Sequence, residues 1–392
     1  MSHLFPPPPI QPFERMQARD GLLITAERWL RTQRYHRQRQ NFHYQSLHRP
    51  GIVCGLGVRP ISPTGSEPTH YRDGRSFQLQ PGIAIDLRGN PIIVPQPENV
   101  QIGVEPLPDQ PLTVYITLSY RDPEELSVSP DLEMMREQFR IDIKTRPPQP
   151  DEVEVCRVLI PPGQPLQLQP AADIFFPGYH NLDFRYRQQV CPRPLGMVRV
   201  AQMRHEDPGH NRNFANLDAL LKSVEVNYPA LAGSDQVDML ALDHPDLAQY
   251  DLLYVTGATL SLSKAHGDAL AGYLATGGVL LVDVPDESSE LARYMAGFVQ
   301  NQLKLSLEPL TRRHPLRRQP FLFAALPLGS QSRPVQLFVA GGVIVCMGDI
   351  AGVWGLDEKL SLSRTQIREG QELGINLLHY AWLRHGMTQL QQ

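Results

Sequence analysis

Three rhythms of apolar and polar positions follow one another along the chain. Residues 25–48 read as a long helix. Asp20-Gly21 precede it, Thr25 is a good N-cap, Glu27 sits in the first turn where the helix dipole favours an acid, and Pro50-Gly51 stop it. Between 52 and about 160 the pattern turns to period two, as expected of strands with one face buried. The runs 77–86 and 91–94 flank Arg88-Gly89-Asn90, which predicts a hairpin turn, and 112–120, 138–144 and 153–160 supply further strands. The stretch 161–194, rich in proline and aromatics, reads as a long connector packed on the surface.

From Met197 onward, continuous apolar runs alternate with helical segments, which predicts a parallel sheet with helices on both faces. The strands expected are 197–201, 237–242, 251–255, 279–284, 334–339 and 343–347, and the helices 216–226, 263–276, 288–303 and 364–384. Ser263 can cap the second helix and Gly277-Gly278 can end it. The fold class expected is therefore an α+β N-terminal module, a long helix plus a small β domain, followed by an α/β doubly wound domain. The predicted boundaries are 1–20 for an extended proline-rich arm, 21–160 for the helix and β module, 161–196 for the connector and 197–392 for the α/β domain.

Composition narrows the function classes. At 392 residues and 41% apolar content, the chain can build two or three cores. A formal charge of -4 gives no global pull toward nucleic acid or anionic lipid. The 37 prolines favour extended segments and loops, and Pro6, Pro7, Pro8 and Pro9 form a short polyproline II arm, either a disordered tail or a docking segment. Cys54, Cys156, Cys191 and Cys346 form no C-x-x-C pair and read as reduced thiols. No leader pattern or membrane-spanning apolar run is evident, so residence in the cytoplasm is expected.

Two places could carry function. The first helix interleaves Arg28, Arg31, Arg34, Arg37, Arg39 and the nearby Arg49 with Trp29, Tyr35, Phe42 and Tyr44, with Glu27 its only acid. Arginine beside aromatics suits phosphate binding and base stacking. The same residues anchor protein interfaces, and with no nucleic-acid motif in an acidic chain that reading is favoured. Trp29, Arg31, Arg34, Tyr35, Arg37 and Phe42, with the proline arm, are the candidate contact residues.

The second place is the ends of the α/β strands, where doubly wound sheets hold ligands: Thr256, Asp283, Cys346 and Asp349. The turn after Cys346 resembles that of class I glutamine amidotransferases. A working thiolate needs a nearby base, however, and the downstream His379 and His385 fall in the last predicted helix. Cys346 is expected to be a packed thiol, and Asp283 and Asp349 to cap the loops that follow them. Gly277-Gly278 and Gly341-Gly342 precede strands rather than helices, so no phosphate cradle is predicted. His36 and His43 are about 10 Å apart along a helix, too far to share one ion with His48. His205 and His210 flank Glu206 and Asp207 without ligand spacing. No catalytic residue, metal or cofactor is expected.

Two resemblances add to this. Gly21-Leu-Leu-Ile-Thr-Ala-Glu-Arg-Trp29, Tyr35-His36, Leu47-His48-Arg-Pro-Gly-Ile-Val-Cys-Gly-Leu56 and Pro81-Gly-Ile-Ala-Ile-Asp86 resemble a module encoded with phage-tail-like contractile injection systems, departing from it at Arg49-Pro50. From 197 on, Tyr250-Asp-Leu-Leu-Tyr-Val-Thr-Gly257, Leu274-Ala-Thr-Gly-Gly-Val-Leu-Leu-Val-Asp283, His314-Pro-Leu316 and Leu373-Gly-Ile-Asn-Leu-Leu-His-Tyr380 resemble an uncharacterised bacterial family with a glutamine-amidotransferase-like, flavodoxin-like α/β fold. The resemblances imply a non-enzymatic baseplate-region or accessory subunit of a cytoplasmic particle, partnered by baseplate, sheath or spike proteins and by copies of itself. The alternatives are a ligand-binding or hydrolase-like module at the strand ends, and nucleic-acid binding through the arginine helix.

Overall fold

The structure, a computed structural model, describes residues 8–62, 68–123, 134–203, 211–257, 260–285, 290–355 and 360–391. The chain divides into two compact units, Met1–Arg193 and Pro194–Gln392.

The first unit opens with α1 (Ala26–Leu47), capped where Thr25 Oγ1 accepts from the Arg28 amide. Its strands are β1 (Gly51–Gly55), β2 (Ser76–Leu79), β3 (Gly82–Ile85), β4 (Pro91–Val94), β5 (Glu98–Gln101), β6 (Leu112–Arg121), β7 (Gln138–Lys144) and β8 (Val153–Ile160). The hairpin at 86–90 joins β3 to β4, with Gly89 at φ +82°, a conformation that glycine adopts without strain. The run 77–86 is not one strand, as its period suggested, but two. Pro81 lacks an amide hydrogen, and the chain breaks there, sending β2 into a sheet with Val58–Pro60 and β5, and β3 into a sheet with β1 and β4. A third sheet orders Leu182–Asp183, β8, β6 and β7, all antiparallel. One core joins them, including Phe77, Leu79, Ile92, Ile116, Val158 and Ile160. The segment after β8 returns to these sheets. Leu182–Asp183 pairs with β8, Cys191–Pro192 pairs with His48–Arg49, and Arg157 stacks 3.6 Å from the centre of the Tyr186 ring.

In the second unit, β9 (Val200–Met203), β10 (Asp238–Leu240), β11 (Leu252–Thr256), β12 (Val279–Val284), β13 (Glu308–Pro309), β14 (Gln336–Ala340) and β15 (Val343–Met347) form one sheet in the order β10-β9-β11-β12-β15-β14-β13. The first five are parallel. The sheet is not wholly parallel, because β14 and β15 are a hairpin turning at Gly341-Gly342, φ +52° and +98°, and β13 adds antiparallel to β14. The helices are α2 (Asn211–Asn227), α3 (Lys264–Ala275), α4 (Glu290–Asn301) and α5 (Arg364–Gln389). Residues 286–289, where α4 was expected to begin, lie outside the described residues.

Period two in the strands sorts the helices by face. Leu252, Tyr254, Val279 and Leu281 pack with Leu220 and Val224 of α2 and Leu377 and Ala381 of α5. Their neighbours Leu253, Val255, Leu280 and Val282 pack with Leu270 and Leu274 of α3 and Met295 and Val299 of α4. All six residues of β12 are buried, and removing its five valine and leucine side chains from water is worth about 1.5–3 kcal/mol each. The result is a mixed α/β unit with a large sheet covered on both faces. Among the described residues no helix is long and apolar enough to cross a membrane.

Candidate functional site

The first candidate place is α1. None of its 22 residues is buried, and from 23 to 31 every residue is exposed. Leu23, Ile24 and Trp29 show 74%, 55% and 54% of their surface, an apolar tip around the start of the helix. The Arg28 guanidinium donates to the Leu23 carbonyl at 2.6 Å and holds that tip against the first turn. Arg31 meets Glu27 at 3.6 Å, an exposed pair that adds little stability.

The other candidate contact residues are tied inward. Arg37 pairs with Asp122 at 3.0 Å, and Arg34 also takes part in an interaction within the chain. Tyr35 and Phe42 receive Phe13 of the arm edge-on, with centroids 6.4 and 5.4 Å away. Pro8 is half-buried and Pro9 lines a groove of about 370 Å³ between arm and helix; Pro6 and Pro7 lie outside the described residues. Leu23 and Ile24 were not among the residues read from sequence as contacts, although their apolar character just before the N-cap was the available signal.

The second place is the C-terminal end of the parallel strands. Thr256, Asp283 and Cys346 stand in register on β11, β12 and β15 and so share one face of the sheet. Asp283 is fully buried. One oxygen accepts from the Ile350 amide at 3.1 Å, and the other accepts from the Ala351 amide and the Tyr254 hydroxyl, both at 3.0 Å. It therefore caps the turn that follows β15, 67 residues on, rather than its own loop as predicted. Asp349, at φ +54°, accepts from the Gly352 amide at 3.1 Å and from Ser330 Oγ, and so does cap its own turn. Burial, and after it the charge of Asp349, raises the Asp283 carboxyl well above the ordinary value.

Cys346 is fully buried, and burial together with the Asp283 and Asp349 charges pushes its thiol well above the ordinary value. A thiol in that environment is protonated at neutral pH and a poor nucleophile. Iodoacetamide on the native protein is accordingly expected to modify exposed Cys54 and to leave buried Cys156 and Cys346 intact until denaturant is added, as peptide mass mapping would read. Rapid native labelling of Cys346 would contradict this.

On the neighbouring strand, Gln202 of β9 lies in register with Tyr254, 1% exposed, and its Oε1 has no partner among the described residues. Sequence reading missed both this glutamine and the Tyr254–Asp283 bond. His36, His43 and His48 join no metal-ligating group among the described residues, and His205, Glu206, Asp207 and His210 lie outside them.

Residues 199–382, a little under half of the chain, match the model of a domain of unknown function, DUF4159. No curated protein matches. Among solved structures, an exo-β-1,4-mannosidase from an Opitutaceae bacterium is 17% identical over 47% of this chain, with a TM-score of 0.25, and the match spans 36% of the mannosidase. A ThuA-like protein from Bacteroides uniformis is 14% identical over 48% of this chain and 91% of its own, also with a TM-score of 0.25. The second unit is thus similar in sequence to a domain family that carries no assigned activity.

Proposed function

We propose that this chain is a structural, non-enzymatic subunit, baseplate-region or accessory, of a phage-tail-like contractile injection system. In this reading α1 is the docking element toward other subunits, and the second unit, with its flavodoxin- and amidotransferase-like winding, is a rigid block. The observation that carries it is α1 itself. The first turns of this helix, about 33 Å long, are exposed at every residue from 26 to 31 and have little to stabilise them beyond their own hydrogen bonds. An apolar tip of Leu23, Ile24 and Trp29 beside arginines has the composition of an interface anchor. The strand-end groups add indirect support, since Asp283 and Asp349 already bond to backbone and hydroxyl donors and Cys346 is sealed.

The test is gentle purification of the tagged protein from its native cell, with mass spectrometry and negative-stain imaging. Sheath, tube and baseplate proteins in visible particles are expected. Ile24→Ser with Trp29→Ser should cut incorporation at least about tenfold while leaving the melting temperature within a degree or two, because both side chains are exposed. Recovery of a lone monomer, or unchanged incorporation of the double variant, would sink the proposal.

A second reading, a small-ligand module at the strand ends, has one observation in its favour. Taken in chain order the five parallel strands run 2-1-3-4-5, and the buried, unpartnered Gln202 Oε1 lies where the winding reverses, between β9 and β11. Thermal-shift screening with nucleotides and amides, with Gln202→Leu as control, separates the two readings. A hit that the control abolishes would favour the ligand module.

A further inference from the structure

Among the described residues outside α1, exposed apolar side chains also cluster in one loop. Loop 171–180 displays Ile174, Phe175, Phe176 and Tyr179 at 57%, 72%, 79% and 46% exposure. The loop is well braced. Asp173 Oδ1 accepts from the Phe175 amide at 2.9 Å and the Asp173 carbonyl accepts from the Phe176 amide at 3.1 Å. At its base Asn181 accepts from the Gly178 amide at 2.9 Å and donates to the Gln169 carbonyl at 3.1 Å, while the His180 amide donates to the Leu159 carbonyl at 2.9 Å. A knob ordered in advance costs little conformational entropy on docking. Four such side chains exceed what scattered surface apolar residues require, since aromatic side chains bury roughly 150–250 Å² each.

The same unit carries a matching recess. The groove of about 370 Å³ beside α1 is lined by Pro9, Pro12, Phe13 and Phe42, with Arg88 among its other residues. A cavity of about 150 Å³ takes one benzene-sized ring, so this one has room for about two. The charges also match. The knob, 171–180, bears Asp173 and no lysine or arginine, and Asp183 beyond it is paired with Arg185 at 2.8 Å. The groove bears Arg88, whose side chain is 74% exposed and only loosely paired with Asp151 at 3.8 Å.

We propose that the Phe175-Phe176 knob of one copy docks in the Pro9–Phe13–Phe42 groove of a second copy, a heterologous head-to-tail contact. Such contacts close into rings or extend into filaments according to the rotation they impose. The inference names one partner within the assembly reading above and rests on it only for its biological setting, since the contact is measured on the purified chain alone.

Sedimentation velocity of the full-length protein from about 1 to 200 µM should show concentration-dependent association. Phe175→Ser with Phe176→Ser should weaken it about thirtyfold or more. Phe42→Glu, or independently Arg88→Glu, should do the same from the groove side, and circular dichroism should be unchanged in all three. The decisive arm mixes the knob variant with a groove variant. Each alone is monomeric, but together they retain one intact knob and one intact groove, so the mixture forms a dimer and stops there. Three results would overturn the proposal: a wild-type monomer at 200 µM, a mixture that stays monomeric, or phosphatidylserine vesicles that bind the wild type and not the knob variant. Failure here with particle incorporation intact leaves the docking role of α1 standing, and the reverse result separates them equally well.

Discussion

Asp283→Ala should cost the second unit about 3–5 kcal/mol, lowering its melting temperature by about 10 °C, because it strips the acceptor from three buried donors, the Ile350 and Ala351 amides and the Tyr254 hydroxyl. Asp283→Asn keeps one acceptor and should cost less. The milder variant also isolates a pH effect. The Asp283 carboxyl is raised from 3.8 to about 7 by burial and by the Asp349 charge. The folded chain therefore holds a proton that the unfolded chain has released. That contribution to stability is complete below about 4 and is lost as pH rises through about 7, at up to about 1.4 kcal/mol per pH unit between them. Urea unfolding from pH 4 to 8 should show the wild type losing this increment relative to Asp283→Asn. Parallel stability curves would mean that the three donors hold the carboxylate ionised in spite of its burial.

Asn376→Leu should produce the second large effect, again about 3–5 kcal/mol. The Asn376 amide is fully buried on α5. Its nitrogen donates to the Leu316 and Phe321 carbonyls, both at 2.8 Å, and its oxygen accepts from the Phe321 amide at 2.9 Å. Leucine fills a similar volume, so the loss reports unpaired backbone groups rather than a cavity. Denaturant unfolding should show a lower midpoint with an unchanged slope. Native-state hydrogen exchange should show the 316–323 segment opening more readily than β12. A change under about 1 kcal/mol would mean that the segment re-pairs its carbonyls elsewhere.

Much of the second unit could be read from its strands. Val279–Val284 and Val343–Met347 lie where their apolar runs placed them, and Ser263 caps α3. Strand direction was not legible. A continuous apolar run reports burial on both faces and says nothing of polarity, so the Gly341-Gly342 hairpin passed as a lead-in to β15. In the first unit, period two ran through Pro81 unbroken although the ladder could not.

Site chemistry was legible to a similar depth. That Asp283 ends a strand could be read, but its partners at 350 and 351 become neighbours only after the sheet forms. For Phe175 and Phe176, aromatic character between prolines suggested packing against the surface, and nothing local told that they would face outward. Exposure is decided by what the rest of the chain covers.

The edges of the seven-stranded sheet limit how such a protein can associate. At one margin β10 is three residues long and begins at exposed Asp238; at the other β13 is the dipeptide Glu308–Pro309, and proline offers no amide hydrogen. Neither margin presents a ladder of unpaired donors and acceptors long enough to recruit a foreign strand. Crowded together at high local concentration, copies of this chain are thereby steered away from strand-on-strand stacking through this sheet, and contacts made by its margins are left to side-chain surfaces whose geometry can be specific.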